Sequence, residues 1–283
     1  MLARLLNIFS LGIFQSLGKI LLSLWEMIEG VGARAIFFWD IITKIWKRPF
    51  EVREFLLQLY LVGVQSLAIV AVSGFFVGGI VALQFSYALG LFGAQVYLGG
   101  VTTSGLLREV GPVLVAIMIT GRIGAFIAAE LGTMKVTGQA EAIQCLGLDP
   151  IQVLVVPRFL AVVIMIFLLT IFGLLVSLVG GALVSFFMLD VSISYYLVYL
   201  LKLTTVWAFL NGMIKSFLFG ILVGLLSCYE GYNAEQGAEG VGRAVNRTLV
   251  YASVVVFLTD YIVAAIASLT FTLAQEIEFP FGS

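Results

Sequence analysis

The sequence predicts an all-α integral membrane protein with five transmembrane helices. Hydrophobic residues occupy 61% of its 283 positions and charged residues only 11%, and its mean hydropathy is +1.14. A soluble domain carries about 25% charged residues, so this chain cannot enclose its apolar surface in a water-soluble core. Several stretches also reach the length of about 20 mostly apolar residues that crosses the hydrocarbon core of a bilayer.

Four of these stretches meet the length criterion without interruption. A fifth contains Arg108, Glu109 and Arg122, and it is counted as a span because charged residues within a membrane usually have a specific role. The five predicted spans cover 57–84, 106–131, 157–188, 206–229 and 248–275. An odd number of spans places the two termini on opposite sides of the membrane.

The first 55 residues differ from the spans because polar residues recur through them at helical spacing. Leu, Ile, Phe and Trp fill the other face. This pattern is typical of amphipathic helices that lie in the membrane interface, with tryptophan at headgroup level. One extra span is the alternative for this segment, and Glu26, Glu29 and Arg34 argue against it.

Positive charge predicts the orientation of the chain. With five spans, Lys and Arg concentrate on the side that holds the N-terminus, residues 132–151 and residues 230–247, which is therefore expected to be cytoplasmic. The predicted organisation is N-terminal interfacial helices (1–55), a five-span domain (56–275) and a non-cytoplasmic C-terminal tail (276–283).

Residues 132–151, here called the polar loop, separate the second and third spans. Thr137 is expected to cap a short helix over 138–146, and Gly147 to end that helix in a left-handed turn. Residues 149–150, an Asp-Pro pair, are expected to start the next helix, with Asp as the cap and Pro at the first position.

A helix of about nine residues is too short to be stable alone in water, so the predicted loop helix must pack on something. Ala140, Ile143 and Leu146 share one of its faces. Two interpretations remain open. The helix either rests on its own membrane domain, or it enters a groove on a cytoplasmic partner.

The residue inventory makes an enzyme improbable. The chain has no histidine, its two cysteines do not form a CxxC motif, and it contains no GxxxxGK[ST] phosphate-binding motif. No cofactor is therefore expected on this chain, and its net charge of -1 gives no reason to expect nucleic acid as a partner. A stand-alone secondary transporter or channel for an apolar substrate is the alternative function, although five spans do not divide into two equal repeats.

Four motifs, in order along the chain, carry a resemblance to a known family. The longest, REVGPVLVAIMITGRIGAFIAAELGTMKVTGQAEAIQCLGLDPIQVLVVPRFLA at 108–161, closely resembles the signature of the MlaE-type permeases. These are the membrane subunits of ABC transporters that move lipids with MCE proteins. The other matches are QLYLVGVQSL (58–67), GMIKSFLFG (212–220) and CYEGYNAEQGAEGVGRAVNRTLV (228–250). The resemblance as a whole covers roughly residues 55–275.

The resemblance implies a function and a set of partners. A homodimer in a bacterial inner membrane would hold phospholipid between its subunits and exchange it with a periplasmic MCE protein, which maintains the lipid asymmetry of the outer membrane. A cytoplasmic ABC ATPase dimer would bind ATP and Mg²⁺, and a small STAS-like regulatory subunit is a further candidate partner. The polar loop resembles the coupling helix that docks on the ATPase. The expected coupling residues are Glu130, Thr133, Lys135, Thr137, Gln139, Glu141, Ile143, Leu146, Asp149 and Pro150.

The polar loop departs from the family pattern at two positions. The family usually reads TEQIDAL where this chain reads TGQAEAI, so Gly138 replaces a Glu and Glu141 stands where Asp is usual. These differences leave the helix and its restart in place, but they put individual charge contacts to the ATPase in question.

Charged residues inside the spans need partners or a function. Arg108 and Glu109 are adjacent on a helix and are expected to serve different partners, as a lipid-phosphate site or as structural ion pairs. Arg122, Lys215 and Asp260 are expected to neutralise each other between the second, fourth and fifth spans. The complete candidate set for the lipid cavity is Arg108, Glu109, Gln84, Tyr97, Arg122, Lys215 and Asp260.

Small residues recur at four-residue spacing in the first and third spans, at Gly74 and Gly78 and at Gly173, Ser177 and the pair Gly180-Gly181. Such positions let helices approach closely in a membrane, where burial of apolar surface contributes little to association. The sequence leaves open whether the contact lies within one subunit or across a dimer.

Overall fold

The computed structural model describes residues 25, 28–47, 51–189 and 191–278, with side chains as far as 269. All the regular secondary structure in these ranges is helical, and five helical stretches are long and apolar enough to cross a membrane. The prediction of five spans is confirmed. The chain separates into two compact units, Met1–Lys47 and Arg48–Ser283.

In the first unit, the structure describes a helix, α1, over residues 28–45. Ile36 and Trp39 of this helix are exposed, whereas Phe37 and Ile41 are buried. Helix α1 is not among the five stretches that qualify as spans. Its placement in the membrane interface stays a prediction, and residues 1–24, where another interfacial helix is expected, lie outside the described residues.

The second unit contains the five spans, the polar loop and one connecting helix. Its helices are α2 (Val52–Val62) and α3 (Leu67–Gly90) in span one; α4 (Leu98–Gly105), α5 (Gly111–Ile119) and α6 (Ala125–Val136) in span two; α7 (Gln139–Cys145) in the polar loop; α8 (Val156–Leu189) as span three; α9 (Ile193–Leu203) as a connection; α10 (Val206–Tyr232) as span four; and α11 (Gly237–Glu278), which contains span five.

The helices of the spans extend beyond the segments that apolar composition predicted. Span one, for example, runs over Val52–Gly90 where the sequence predicted 57–84. A helix can continue past the hydrocarbon core because its backbone hydrogen bonds do not depend on the surrounding solvent. Helix α9 was not predicted, because it is too short to cross a bilayer and contains Lys202.

Span two is not a regular α-helix. Wide π-helical turns occupy Leu106–Val110 and Thr120–Gly124. The first lies directly before Gly111-Pro112, where the sequence indicated that a span can break or bend. Proline has no backbone N–H to donate to the preceding turn, which favours an irregular turn at this position.

The small residues of spans one and three pack against each other within the subunit. A Cβ atom added to Gly78 of α3 would lie 1.8 Å from the backbone oxygen of Ser177 on α8. One added to Gly180 would lie 2.1 Å from a backbone oxygen of α3. The two helices therefore meet backbone to backbone, and the contact that the sequence left open is intramolecular at these positions.

Helix α10 also approaches two neighbours, span two and α8, closely at glycine positions. A Cβ on Gly212 would lie 2.2 Å from the backbone oxygen of Leu107 in span two, and one on Gly220 would lie 3.0 Å from that of Val163 in α8. Span five differs, because only 11% of its most apolar segment is buried. Its helix, α11, leaves most of its apolar surface on the outside of the subunit.

Candidate functional site

A cluster of three charged side chains joins spans two, four and five. Lys215 of α10 is 0% exposed, and its Nζ lies 2.8 Å from Oδ1 of Asp260 on α11. The same ammonium group donates a hydrogen bond to Oε2 of Glu109. A buried cation requires this kind of compensation, because an unpaired charge inside a membrane protein is strongly disfavoured. The expected neutralisation between these three spans is confirmed for Lys215 and Asp260, and Glu109 joins them.

The π-helical turn at Leu106–Val110 contains both Arg108 and Glu109. Glu109 contacts Lys215, whereas no carboxylate among the described side chains lies within ion-pair distance of Arg108. The two adjacent residues therefore have different surroundings, as expected from their positions on a helix.

Arg108 and Glu109 line a cleft of about 240 Å³ between spans two, four and five. The remaining lining residues are Trp207, Asn211, Ala264, Ala267 and Ser268. The cleft thus brings a guanidinium, a carboxylate, an amide and a hydroxyl group beside an apolar wall. Such a mixture suits an amphipathic ligand, with polar groups that fix one end and apolar surface for the rest.

The prediction that Arg122 belongs to the charge cluster was wrong. Its Nη1 donates a hydrogen bond to the backbone oxygen of Gln65, in the 3₁₀ turn Val64–Ser66 that separates α2 from α3. The backbone hydrogen bonds of a 3₁₀ turn have poorer geometry than those of an α-helix, so its carbonyl groups are suitable acceptors for an outside donor. Arg122 therefore interacts with the interruption in span one.

Gln84 and Tyr97 do not line the cleft beside Arg108. Gln84 is exposed on α3. The ring of Tyr97 packs edge to face on Tyr199 of α9, with 5.0 Å between the ring centroids. Their assignment to a lipid cavity stays a prediction that this single subunit does not test.

A second ion cluster lies where the polar loop joins the spans. Arg158, near the start of α8, is 1% exposed and binds Glu130 of α6 through two hydrogen bonds, Nη2 to Oε1 at 2.8 Å and Nε to Oε2 at 3.1 Å. Its Nη2 also lies 2.8 Å from Oε1 of Glu54 on α2. Nη1 donates to the backbone oxygen of Leu154 at 2.7 Å. A planar guanidinium is the side chain best suited to such a forked arrangement.

Gln58 completes this second cluster from α2. Its Nε2 donates to Oε1 of Glu54 at 3.0 Å and to the two carboxylate oxygens of Glu130 at 3.3 and 3.2 Å. The side chain is 0% exposed. Glu130, one of the expected coupling residues, thus belongs to a largely buried network, and its role in coupling stays a prediction.

Sequence reasoning missed the second cluster, although one signal was present. Arg158 is the single charged residue between positions 151 and 189, and an isolated charge beside an apolar span requires a partner. Its partners are far away in the sequence, so the sequence could indicate the need for a partner but not its identity.

The polar loop forms the predicted short helix, although its first cap differs from the prediction. The Thr137 hydroxyl donates to the backbone oxygen of Thr133 at 2.8 Å and so does not cap α7. Gly138 occupies the N-cap position with φ 75°. This left-handed conformation favours glycine, which gives a local reason for the departure from the family pattern at this position.

The predicted end of α7 and the restart of the next helix are confirmed. Gly147 has φ 78°, and the N–H of Leu148 donates to the oxygen of Ile143, as in a left-handed C-terminal turn. Oδ1 of Asp149 then accepts a hydrogen bond from the N–H of Ile151 at 3.0 Å, and Pro150 follows the cap at the start of the new helix.

The apolar face of α7 is only partly packed. Ala140 is buried and Ile143 is half-buried, but Leu146 is 77% exposed. The polar residues nearby interact locally. Lys135 pairs with Glu141 at 2.7 Å, and this hydrogen bond holds the pKa of the Glu141 carboxyl below its usual value. The loop therefore presents both an exposed leucine and an ionised carboxylate.

Two further loop residues, Thr133 and Gln139, serve the local structure. The Thr133 hydroxyl donates to the backbone oxygen of Ala129 at 2.7 Å, and the Gln139 amide donates to the Thr137 hydroxyl at 3.1 Å. These contacts help to fix the junction between α6 and α7. A role in docking stays a prediction for both residues.

Long apolar helices, glycine-mediated contacts and buried ion clusters define a multi-pass integral membrane protein. Comparison with known families makes the class more specific. The family model described as Permease MlaE matches residues 55–266, three quarters of the chain, and the protein belongs to this family.

Several relatives share most of the chain. A probable ABC transporter permease protein of Rickettsia typhi is 36% identical over 235 residues, which is 83% of this chain and 91% of the relative. The intermembrane phospholipid transport system permease protein MlaE of Haemophilus influenzae is 37% identical over 210 residues, 74% of this chain and 80% of that protein. The chloroplast protein trigalactosyldiacylglycerol 1 of Arabidopsis thaliana is 32% identical over 226 residues, 80% of this chain and 65% of that protein.

Proposed function

We propose that this protein is the permease subunit of an ABC transporter that moves phospholipids between a bacterial inner membrane and a periplasmic MCE protein. The subunit acts as a homodimer, with the N-terminus and the polar loop in the cytoplasm. Membership of the permease MlaE family and the phospholipid transport named for the Haemophilus relative support a lipid substrate. Maintenance of outer-membrane lipid asymmetry is the corresponding physiological role.

The observation that carries the proposal is the intramembrane cleft beside the Lys215 cluster. Glu109 is engaged by Lys215, so the structural ion-pair interpretation suits Glu109. Arg108 lines the same cleft without a carboxylate partner among the described side chains. Its guanidinium has the fork of donors that matches a phosphate group, and the adjacent apolar wall suits acyl chains. Arg108 is therefore the residue proposed to bind the lipid headgroup.

The energy for transport is proposed to come from a separate cytoplasmic ATPase dimer that binds ATP and Mg²⁺. No Walker-type phosphate loop occurs in this sequence. Helix α7 and the exposed Leu146 that directly follows it are the proposed docking element, because a short helix with an exposed apolar residue at its end suits a groove on a partner. The apolar surface of α11 that remains outside the subunit supports contact with a second copy.

The first test is a detergent pull-down of the tagged chain from native membranes, followed by mass spectrometry of proteins and lipids. Recovery of an ATPase, an MCE protein and phospholipid is expected. A preparation that contains only this chain, even after gentle cross-linking at the exposed Cys145, would overturn the coupling proposal and favour a stand-alone transporter.

Replacing Leu146 with aspartate is expected to weaken binding of the partner ATPase by about tenfold or more, because a buried anchor residue in an interface contributes on the order of 2 kcal/mol. Leu146 is exposed in the subunit, so the fold is expected to tolerate the change. Titration of the purified ATPase against the permease in detergent measures the effect. Gln144→Asp, which adds the same charge at an exposed position of α7, is the matched control. Equal affinity for both variants would remove Leu146 from the interface.

Reversing the charge of Glu141 to lysine is expected to weaken ATPase docking. The carboxylate is ionised at neutral pH, and its hydrogen bond from Lys135 lowers its pKa further. The double variant Lys135→Glu with Glu141→Lys keeps an internal ion pair and separates local from intermolecular effects. Co-purification of the ATPase at the level of the unsubstituted chain would show that Glu141 makes no docking contact.

A further inference from the structure

Three separate segments meet at Arg158. Glu54 and Gln58 belong to α2 at the beginning of span one, Glu130 lies near the end of span two, and Arg158 lies near the beginning of span three. The polar loop is the only covalent connection between Glu130 and Arg158. Their ion pair therefore closes the loop at its base and fixes the separation of its two ends.

The contacts at this base are specific and largely buried. The Arg158 guanidinium reaches two carboxylates and one backbone carbonyl, and the Gln58 amide donates to the same two carboxylates. Oε1 of Gln58 is buried without a hydrogen-bond partner among the described residues. Since the cluster contains two carboxylates and one guanidinium, displacement of Arg158 would leave like charges facing each other in a poorly solvated site. Arg158 thus joins all three segments, and Gln58 adds a second link between α2 and Glu130.

Segment α2 also ends at an interruption of the helix. A 3₁₀ turn over Val64–Ser66 separates α2 from α3, and Arg122 of span two donates to the Gln65 carbonyl in this turn. Beyond the interruption, α3 is fixed to α8 by the backbone contact at Gly78. Span one therefore has a segment bound to the base of the polar loop and a segment bound to α8. The irregular turn between them can absorb a change in direction.

We propose that Arg158 is a positioning residue that transmits movement of the polar loop to α2. Through Glu130 it keeps the two ends of the loop together, and through Glu54 it makes α2 move with them. The hydrogen bond from Gln58 to Glu130 supports the same link to α2. Span one then bends at Val64–Ser66, where Arg122 holds the turn. The inference rests on the proposed function, because the loop moves when the partner ATPase binds and hydrolyses ATP.

The first test replaces Arg158 with lysine, which keeps the charge but loses the fork. The assembled complex is expected to retain ATP hydrolysis, while the number of lipid molecules transferred per ATP falls roughly twofold to thirtyfold, the range for disrupting an energetic coupling. Arg243→Lys is the matched control, because Arg243 forms a comparable but exposed ion pair with Glu235 at 2.6 Å. Unchanged lipid transfer per ATP in Arg158→Lys would overturn the proposal.

Glu54→Gln is a second, milder variant in case Arg158→Lys does not assemble. It removes the charge that links Arg158 to α2 and leaves the two hydrogen bonds to Glu130 in place. Transfer per ATP is expected to fall in this variant as well. If it remains equal to that of the unsubstituted complex, the contact between Arg158 and Glu54 does not transmit movement to α2, and the proposal is overturned.

A distance measurement tests the same inference without lipid transport. Spin labels on Cys145 of α7 and on an introduced Arg53→Cys in α2 report their separation, in a background where the buried Cys228 is serine. In the complex with the ATPase, the separation is expected to stay constant between nucleotide-free and vanadate-trapped states, and to change between them when Arg158 is lysine. If the separation of the labels responds to nucleotide in the same way with and without Arg158→Lys, the proposal is overturned. If the unsubstituted complex hydrolyses ATP but moves no lipid, the proposed function fails, and the distances still decide the role of Arg158.

Discussion

Replacing Lys215 with methionine is expected to destabilise the folded subunit by about 3 kcal/mol or more, the loss associated with removing one partner of a buried ion pair. Methionine fills a volume similar to that of lysine, so the change in stability reports the loss of the charge. Glu109 and Asp260 would face each other without the cation that lies between them. A loss of about 3 kcal/mol, rather than a larger one, is expected because the Glu109 side chain is 45% exposed in the isolated subunit. Thermal unfolding of the purified protein in detergent measures the change.

The control for this prediction removes all three charges together. In the variant Glu109→Gln, Lys215→Met and Asp260→Asn, no ionised group remains without compensation, and stability is expected to return close to that of the unsubstituted chain. If Lys215→Met alone unfolds at the original temperature, the cluster is not required for the fold, and the ion pairs serve another purpose. Lipid transfer by the stable triple variant then separates the structural role from transport.

Replacing Gly78 with alanine is expected to have a comparable effect through packing. The added Cβ would lie 1.8 Å from the Ser177 oxygen, and a backbone atom cannot rotate away as a side chain can. Helices α3 and α8 would have to separate. Overpacking usually costs 1–3 kcal/mol, and about 3 kcal/mol or more is expected here because the contact is with the backbone. The yield of monodisperse protein in detergent and its thermal unfolding measure the loss.

Gly242→Ala is the matched control for this change. It makes the same substitution in a helix, but outside the adjacent residues and the local helix backbone no atom lies within 4 Å of the added Cβ. Alanine favours helix over glycine by up to about 1 kcal/mol, so this variant is expected to be as stable as the unsubstituted chain or slightly more stable. Similar stability of Gly78→Ala and Gly242→Ala would show that α3 and α8 do not need their close contact.

Features that depend on composition and local chemistry were predictable from the sequence. Five spans follow from apolar length, and the left-handed turn at Gly147 and the cap at Asp149 follow from the local preferences of those residues. The charge cluster was predictable in part. Lys215 and Asp260 are opposite charges inside apolar segments, and a membrane leaves such groups few alternatives to mutual pairing.

Features that depend on contacts between distant segments were not predictable. Arg122 was assigned to the charge cluster because it is a cation in a span, but its acceptor is the backbone of Gln65, which no charge count reveals. The partners of Arg158 could not be identified without knowing where α2 packs. Thr137 was assigned as a helix cap by residue type, yet its hydroxyl bonds to the preceding helix because Gly138 turns the chain first.

The two π-helical turns of span two determine the rotational phase of its side chains. Each such turn contains one more residue than an α-helical turn, and one residue corresponds to a rotation of about 100° around the helix axis. Everything between Thr120–Gly124 and the polar loop is therefore rotated relative to the position that a regular helix would give it. Glu130 meets Arg158 in this shifted phase, and Glu109 meets Lys215 from within the first of the two turns. Loss of a single residue from either turn would leave the span long enough to cross a membrane while turning one of these carboxylates away from its partner.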